Sequence, residues 1–244
     1  MNIFSYFHPG NFLIIDLIAA GTNALDSALL ARNPTHYRGN NWTVIGILSL
    51  AIIGGIGGGV VRDTLLAKVP AALSNPWYVV VCLVAGTIGM LAAYNRAQQF
   101  REGAFQLMTA FSLPWYAVVG VQAGLDAQLP FLGAILLGIV APTAGRFLID
   151  IASRQPAKQF VRGDWIVTTA GLTSVVYLIC AYFLGLSIWP ATLIAFVFGF
   201  SFRVTAVWQG WEEPMPKMPP ELMEGLPEQQ AFKQKRQEDR EGKP

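Results

Sequence analysis

The sequence predicts an all-α polytopic membrane protein with seven transmembrane helices, arranged as a 3+3 inverted repeat plus a seventh helix. Three observations carry this expectation. The 244 residues are 53% hydrophobic and only 13% charged, whereas soluble domains carry about 25% charge. Mean hydropathy is +0.44. Apolar runs near the ~20 residues needed to cross a bilayer recur along the chain, and basic residues collect in alternate connections between them. The net charge of +2 resides in loops and tail, so a nucleic-acid partner is not expected.

The predicted spans, in order, are Phe12–Ala31, Thr43–Leu66, Trp77–Tyr94, Phe105–Leu125, Pro130–Ile151, Trp165–Leu184 and Ile188–Trp208. Trp42, Trp77, Tyr94, Trp165, Trp189 and Trp208 lie at or near span ends, where an interfacial aromatic belt would place them. The first span carries Asp16, Thr22, Asn23 and Asp26. Their spacing forms a polar stripe that faces protein or water rather than lipid. The fourth is interrupted by Pro114, which removes a helix hydrogen bond and predicts a kink; it also carries Gln122, a weaker candidate. Met1–Gly10 lacks a basic region and a small-residue cleavage site, so the first span is expected to be retained.

The odd-numbered connections hold Arg32, Arg38, Arg96, Arg101, Arg154, Lys158 and Arg162, against Lys68 alone in the even-numbered ones. The positive-inside rule places the N-terminus outside and the C-terminus in the cytoplasm, as seven spans require. The domain expected to sit in the membrane is residues 1–208. Residues 209–244 form a charged tail with six prolines, which buries too little apolar surface to fold alone.

Two halves repeat weakly, residues 12–94 and 105–184, with 188–208 as the extra helix. Gly59 precedes Pro70 by 11 residues, and Gly145 precedes Pro156 by 11. Three spans per half is an odd number, so the second half enters from the opposite side. Interrupted helices at matching places of inverted halves point to a transport pathway. In this register Arg62 and Asp63 fall opposite Leu148 and Ile149.

The second span contains Gly54, Gly55, Gly57, Gly58 and Gly59, followed by Arg62 and Asp63. One or two glycines would suit close helix packing. Five in six positions add backbone freedom, which favours a pore hinge whose carbonyls meet a passing cation. In the fifth span Pro142 is the breaker and Gly145 follows. Arg146 and Asp150, four apart, share a helical face and form a candidate pair. Arg62 and Asp63 are about 100° apart on a helix and are expected to seek separate partners. Both pairs are open to two readings: charged gates of a pore, or structural fixtures, with Arg62 and Asp63 capping the short loop to Pro70. Charges at such depth are commonly functional.

Cys82 and Cys180 sit in apolar runs without metal-ligand spacing and are expected to be free packing thiols. His8 and His36 fall in terminal and loop positions and are expected to be solvated. No nucleophile–base set, phosphate loop or clustered metal ligands is present in the sequence, so neither an enzyme, a resident metal nor a cofactor is expected.

The run Gly57-Gly58-Gly59-Val60-Val61-Arg62-Asp63-Thr64-Leu65-Leu66, followed by Lys68-Val69-Pro70, resembles the signature of prokaryotic relatives of the trimeric intracellular cation channels. That superfamily includes bacterial proteins labelled as possible glycine transporters. The resemblance extends over roughly Asp16 to Trp208. It implies an inner-membrane homotrimer with one pore per protomer, lined by kinked second and fifth spans with the first and fourth. The permeant ion would be potassium or another monovalent cation, and membrane lipids are expected partners. The second half lacks another glycine-Arg-Asp copy; Pro142 to Asp150 stands in its place. A carrier for glycine or another small zwitterion is the alternative, with Arg62 or Arg146 on the substrate carboxylate. Both readings need the same hinged inverted repeat.

Overall fold

The structure is a computed structural model and describes residues 9–31, 42–92, 98–153, 157, 159 and 165–211. The chain divides into two units, Met1–Glu212 and Glu213–Pro244, and every described residue belongs to the first. The loop arginines 32, 38, 96, 154 and 162, the side chain of Arg101, Lys158, both histidines, Pro156 and tail residues 212–244 lie outside the described set.

The described elements are helical: α1 (Pro9–Ala31), α2 (Val44–Leu65), α3 (Ala71–Ser74), α4 (Trp77–Ala92), α5 (Gln98–Asp126), α6 (Phe131–Ala152), α7 (Ile166–Leu178), a π-helical turn (Ile179–Phe183) and α8 (Ile188–Trp208). Five helical segments are long and apolar enough to cross a membrane: Leu13–Ala31, Val44–Leu65, Phe131–Ala152, Ile166–Phe183 and Ile188–Trp208; α4 is apolar but shorter. The protein is therefore an integral membrane protein. The one-turn helix α3 has no counterpart among the predicted elements. Helix α5 carries Thr109, Ser112, Pro114 and Gln122 within its apolar stretch, and nearly every residue from Thr109 to Gly124 is buried. A helix enclosed by its neighbours has little lipid to face, which is why its sequence is the least apolar of the long ones.

The core has three parts. One is built from α1, α2 and α4 around Ala20, Ala24, Leu50 and Cys82. Another is built from α5, α6, α7 and α8 around Val121, Tyr177 and Ala195. Between them, Ile15, Ala19, Tyr116, Val119 and Ala141 join α1 to α5 and α6. Helix–helix packing in a membrane relies on close contact, because lipid is as apolar as leucine. The alanine-rich face of α1 supplies that contact.

Helix α2 starts where Thr43, in extended conformation, accepts a hydrogen bond from Gly46 N at 3.1 Å. Thr43→Ala should cost about 1 kcal/mol, visible as a lower melting temperature in detergent; an unchanged melt would show that the cap is redundant. The helix runs unbroken through all five glycines, and each of them keeps a negative φ. Helix α6 likewise continues through Pro142, and α5 through Pro114. The helical assignment is therefore continuous through the glycines and both prolines. Where no water competes for the backbone, the i→i−4 ladder persists despite glycine's weak propensity.

The glycines instead let two helices touch. A Cβ on Gly58 would overlap the Ala141 carbonyl, and one on Gly145 would stand 3.3 Å from the Gly54 carbonyl and 3.1 Å from Gly58 N. Gly54 thus meets Gly145 while Gly58 meets Ala141, so α2 and α6 run antiparallel through the contact. The contact is reciprocal: each glycine faces the carbonyl four residues before its opposite number. The corresponding positions stand 87 apart (145 − 58 and 141 − 54). That spacing is one more than the 86 residues of the glycine-to-proline gaps, and by it Asp63 would correspond to Asp150 (150 − 63).

Candidate functional site

Two clusters of buried charge flank the α2–α6 contact. In the first, Arg62 on α2 grips Asp16 on α1 with both ends of its fork, Nη1–Oδ1 and Nη2–Oδ2 each 3.2 Å. Its Nε donates to Asp63 Oδ1 at 2.7 Å. Tyr78 on α4 donates to Asp16 Oδ2 at 2.8 Å, and the second oxygen of Asp63 accepts from Ala71 N at 2.8 Å. Arg62 and Asp16 are each only 2% exposed, so these bonds replace hydration. Adjacent residues 62 and 63 do pair, contrary to the expectation from their helical angle. The long arginine stem folds its head back over its neighbour, which a projection of Cβ directions does not capture. Asp63 also caps the segment after Pro70, one of the two roles the sequence left open.

In the second cluster, Arg146 Nη1 on α6 lies 3.1 Å from Asp26 Oδ2 on α1. Its Nε lies 3.6 Å from Asp150 Oδ1, one turn along the same helix. Thr109 on α5 donates to Asp26 Oδ1 at 3.0 Å. Among the described residues the first cluster sets two carboxylates against one guanidinium, a formal charge of −1, and the second joins Asp26 and Asp150 to Arg146. Helix α1 serves both. Asp16 and Asp26 are ten residues apart, which separates the clusters by about 15 Å along α1 at the usual helical rise.

A small cavity with both polar and apolar lining opens beside the second cluster, with a volume of ≈ 20 Å³. Asn23, Asp26, Thr109, Ser112, Pro142 and Arg146 are among its lining residues. That is room for roughly one water molecule.

The remaining sequence candidates are distributed as follows. Thr22 turns its hydroxyl onto its own helix, to Ile18 O at 2.8 Å and Ala19 O at 3.1 Å, away from the carboxylates. Gly54 packs on Ser27 and Ile149, Gly55 on Cys82 and the Ala20 carbonyl, and Gly57 on Leu148 and Gly145. Gly59 has only Arg62 Nη2 nearby, 3.8 Å from where a Cβ would lie. Cys82 and Cys180 are free and buried. Gln122 donates to Asp126 at 2.8 Å and accepts from Tyr177 at 2.6 Å, outside both charge clusters. Among the described residues no three His, Cys, Asp or Glu side chains are grouped to hold a metal ion.

Sequence reasoning missed Tyr78, Thr109, Ser112 and Tyr116. The Tyr116 hydroxyl, on α5, donates to the Gly55 carbonyl of α2. Hydroxyls within apolar helices were the available signal. It is a weak one, because most of them bond back to their own helix, as Thr143, Thr173 and Ser174 do.

A family model described as Glycine transporter matches two segments of the chain, residues 13–94 and 106–182. They coincide with the two halves of the sequence. The UPF0126 inner membrane protein YadS of Escherichia coli (strain K12) is 20% identical over 194 residues, covering 79% of this chain and 90% of the relative. A UPF0126 membrane protein of Deinococcus radiodurans is 24% identical over 172 residues, covering 69% of this chain and 76% of its own. Among solved structures, a TRIC trimeric intracellular cation channel orthologue from Rhodobacter sphaeroides superposes with a TM-score of 0.71 at 23% identity. It covers 81% of this chain and 98% of the orthologue. A prokaryotic TRIC channel in 0.5 M KCl gives a TM-score of 0.72 at 16% identity, covering 83% and 98%. At these identities the likeness establishes a shared fold.

Proposed function

The chain belongs to the glycine transporter family, and from that membership and the site geometry we propose that it is a passive channel for monovalent cations, chiefly potassium. The observation that carries this reading is the excess of carboxylate over guanidinium in the Arg62 cluster at one end of the α2–α6 contact, with the Asp26 cluster at the other end lining a small cavity. A negative cluster between low-dielectric walls concentrates cations and repels anions. Single carboxylates and hydroxyls bind weakly enough for an ion to leave, as conduction requires.

The path would run between α2 and α6, with α1 and α5 completing its wall. The antiparallel, reciprocal contact of α2 with α6 supports an inverted repeat, α1–α2–α4 against α5–α6–α7, with α8 outside it. Seven spans, with the N-terminus outside and the C-terminus in the cytoplasm, follow from that plan and from the basic connections. The relatives named as inner membrane and trimeric proteins support an inner-membrane homotrimer with one pore per protomer. With Gly58 against Ala141 and a cavity for about one water, the conformation is a closed one.

The test is a planar-bilayer recording of the purified protein under a potassium chloride gradient. Discrete current steps reversing near the potassium potential are expected. Silence from a folded, inserted preparation would overturn the channel reading. The second reading, a carrier for glycine or a similar zwitterion, is favoured by the description of the family model. Uptake of radiolabelled glycine into vesicles, saturating with concentration, would support it.

Asp26→Asn removes one negative charge beside the cavity while leaving Arg146 its partner Asp150. The reversal potential in a potassium chloride gradient should move towards zero as chloride exclusion weakens. An unchanged reversal potential would remove Asp26 from the ion path.

A further inference from the structure

Tyr116 stands on α5 at the level of the α2–α6 contact and is 1% exposed. It belongs to a buried cluster with Ile15, Ala19, Val119 and Ala141. A buried phenol needs a hydrogen-bond acceptor, and its partner is the Gly55 carbonyl of α2. That carbonyl belongs to a continuous helix, so the phenol takes its second lone pair. The ring is also close to the tightest point of the contact: Tyr116 Cε1 lies 3.2 Å from where a Gly58 Cβ would stand. Helix α5 packs along α6 through Gly120 and Gly138, whose Cα atom lies 2.7 Å from a Cβ built on Gly120. One hydroxyl therefore ties the glycine segment of α2 to the α5–α6 pair, against which that segment closes.

We infer that Tyr116 is the latch of the closed pore. Resting on the channel reading above, the inference assigns its hydroxyl two effects. It holds α2 on α6 at the glycine contact, and it occupies a backbone carbonyl that a cation crossing this level would otherwise meet. Opening requires α2 to leave Ala141, and that motion breaks the Tyr116–Gly55 bond. Tyr116 is a positioning residue: it acts on the path through α2. Glycine at 58 lets the ring approach the α2 backbone from the side.

Tyr116→Phe removes the donor, keeps the ring, and leaves the Gly55 carbonyl its helical partner, so no buried polar group is stranded. Loss of one buried hydrogen bond that exists only in the closed state should raise the open probability on the order of fivefold. The measurement is single-channel recording of the full chain in planar bilayers under a potassium chloride gradient, wild type beside variant. The expected result is longer openings with the same unitary conductance and reversal potential. An open probability equal to or below that of the wild type would overturn the proposal while leaving the channel reading intact. Absence of cation-selective current from the wild type would defeat the channel reading itself. A merely structural role would lower the melting temperature in detergent without changing open probability. Should the phenylalanine variant fail to assemble, Tyr116→Met, which also lacks a donor, poses the same test with a flexible side chain.

Discussion

Arg62→Leu should destabilise the protein by about 3–5 kcal/mol, the cost of stranding buried charges without their partner. Asp16 and Asp63 both lean on this guanidinium, Asp16 through two bonds. Without it, two carboxylates with little exposure face each other with only Tyr78 and Ala71 N as donors. Thermal unfolding in detergent would read the loss. Adding Asp16→Leu to Arg62→Leu should recover part of it, because one of the two stranded charges is then removed. A cost for the single variant below about 1 kcal/mol would place the pair among solvated surface ion pairs. Water would then reach this cluster.

Gly58→Leu should be the other severe substitution, and it bears on what the glycines are for. A Cβ at this position overlaps the backbone carbonyl of Ala141, which cannot rotate away as a side-chain tip would. Overpacking of this kind typically costs about 1–3 kcal/mol and sometimes more, and here it would force α2 and α6 apart. Lower yield of folded protein and a lower melting temperature are expected. Gly59→Ala is the matched control, since its Cβ would stand 3.8 Å from Arg62 Nη2, an ordinary contact, and it improves helix propensity by about 1 kcal/mol. It should leave stability equal or higher. A Gly58→Leu protein that melts like the wild type but passes no current would restore the hinge role that five clustered glycines first suggested.

The same glycines mark where sequence reading reached and where it stopped. Composition alone led to a helical membrane protein, because runs of apolar residues in water have few other fates. The deep charges on α1, α2 and α6 stood out for the same reason, since ionised groups in such runs demand partners. Which partners they have could not be read. Asp16 and Arg62 are 46 residues apart and Asp26 and Arg146 are 120 apart, so helical periodicity, which relates only near neighbours, says nothing about them. Periodicity also misled at Arg62 and Asp63, where a long flexible side chain reached what the helical wheel placed out of range.

The 87-residue spacing at the helix contact differs by one residue from the 86 that the glycine-to-proline gaps suggest. Gap lengths to a loop proline are set by loop geometry, whereas the helix contact is set by which glycines face a carbonyl. The polar stripe on α1 combined residues that the fold separates: Asp16 and Asp26 enter different clusters, Asn23 lines the cavity, and Thr22 bonds to its own backbone. Tyr116 was invisible because a tyrosine in an apolar helix is ordinary until its hydroxyl is found on another helix. The sequence by itself determined that the chain crosses a membrane as helices and where small residues and charges interrupt them. Only the tertiary structure decided which charges meet and that the glycine segment remains helical and packs. Those outcomes depend on contacts between helices distant in the chain, and in a bilayer it is such contacts, rather than any local preference, that satisfy buried charge and allow two backbones to touch.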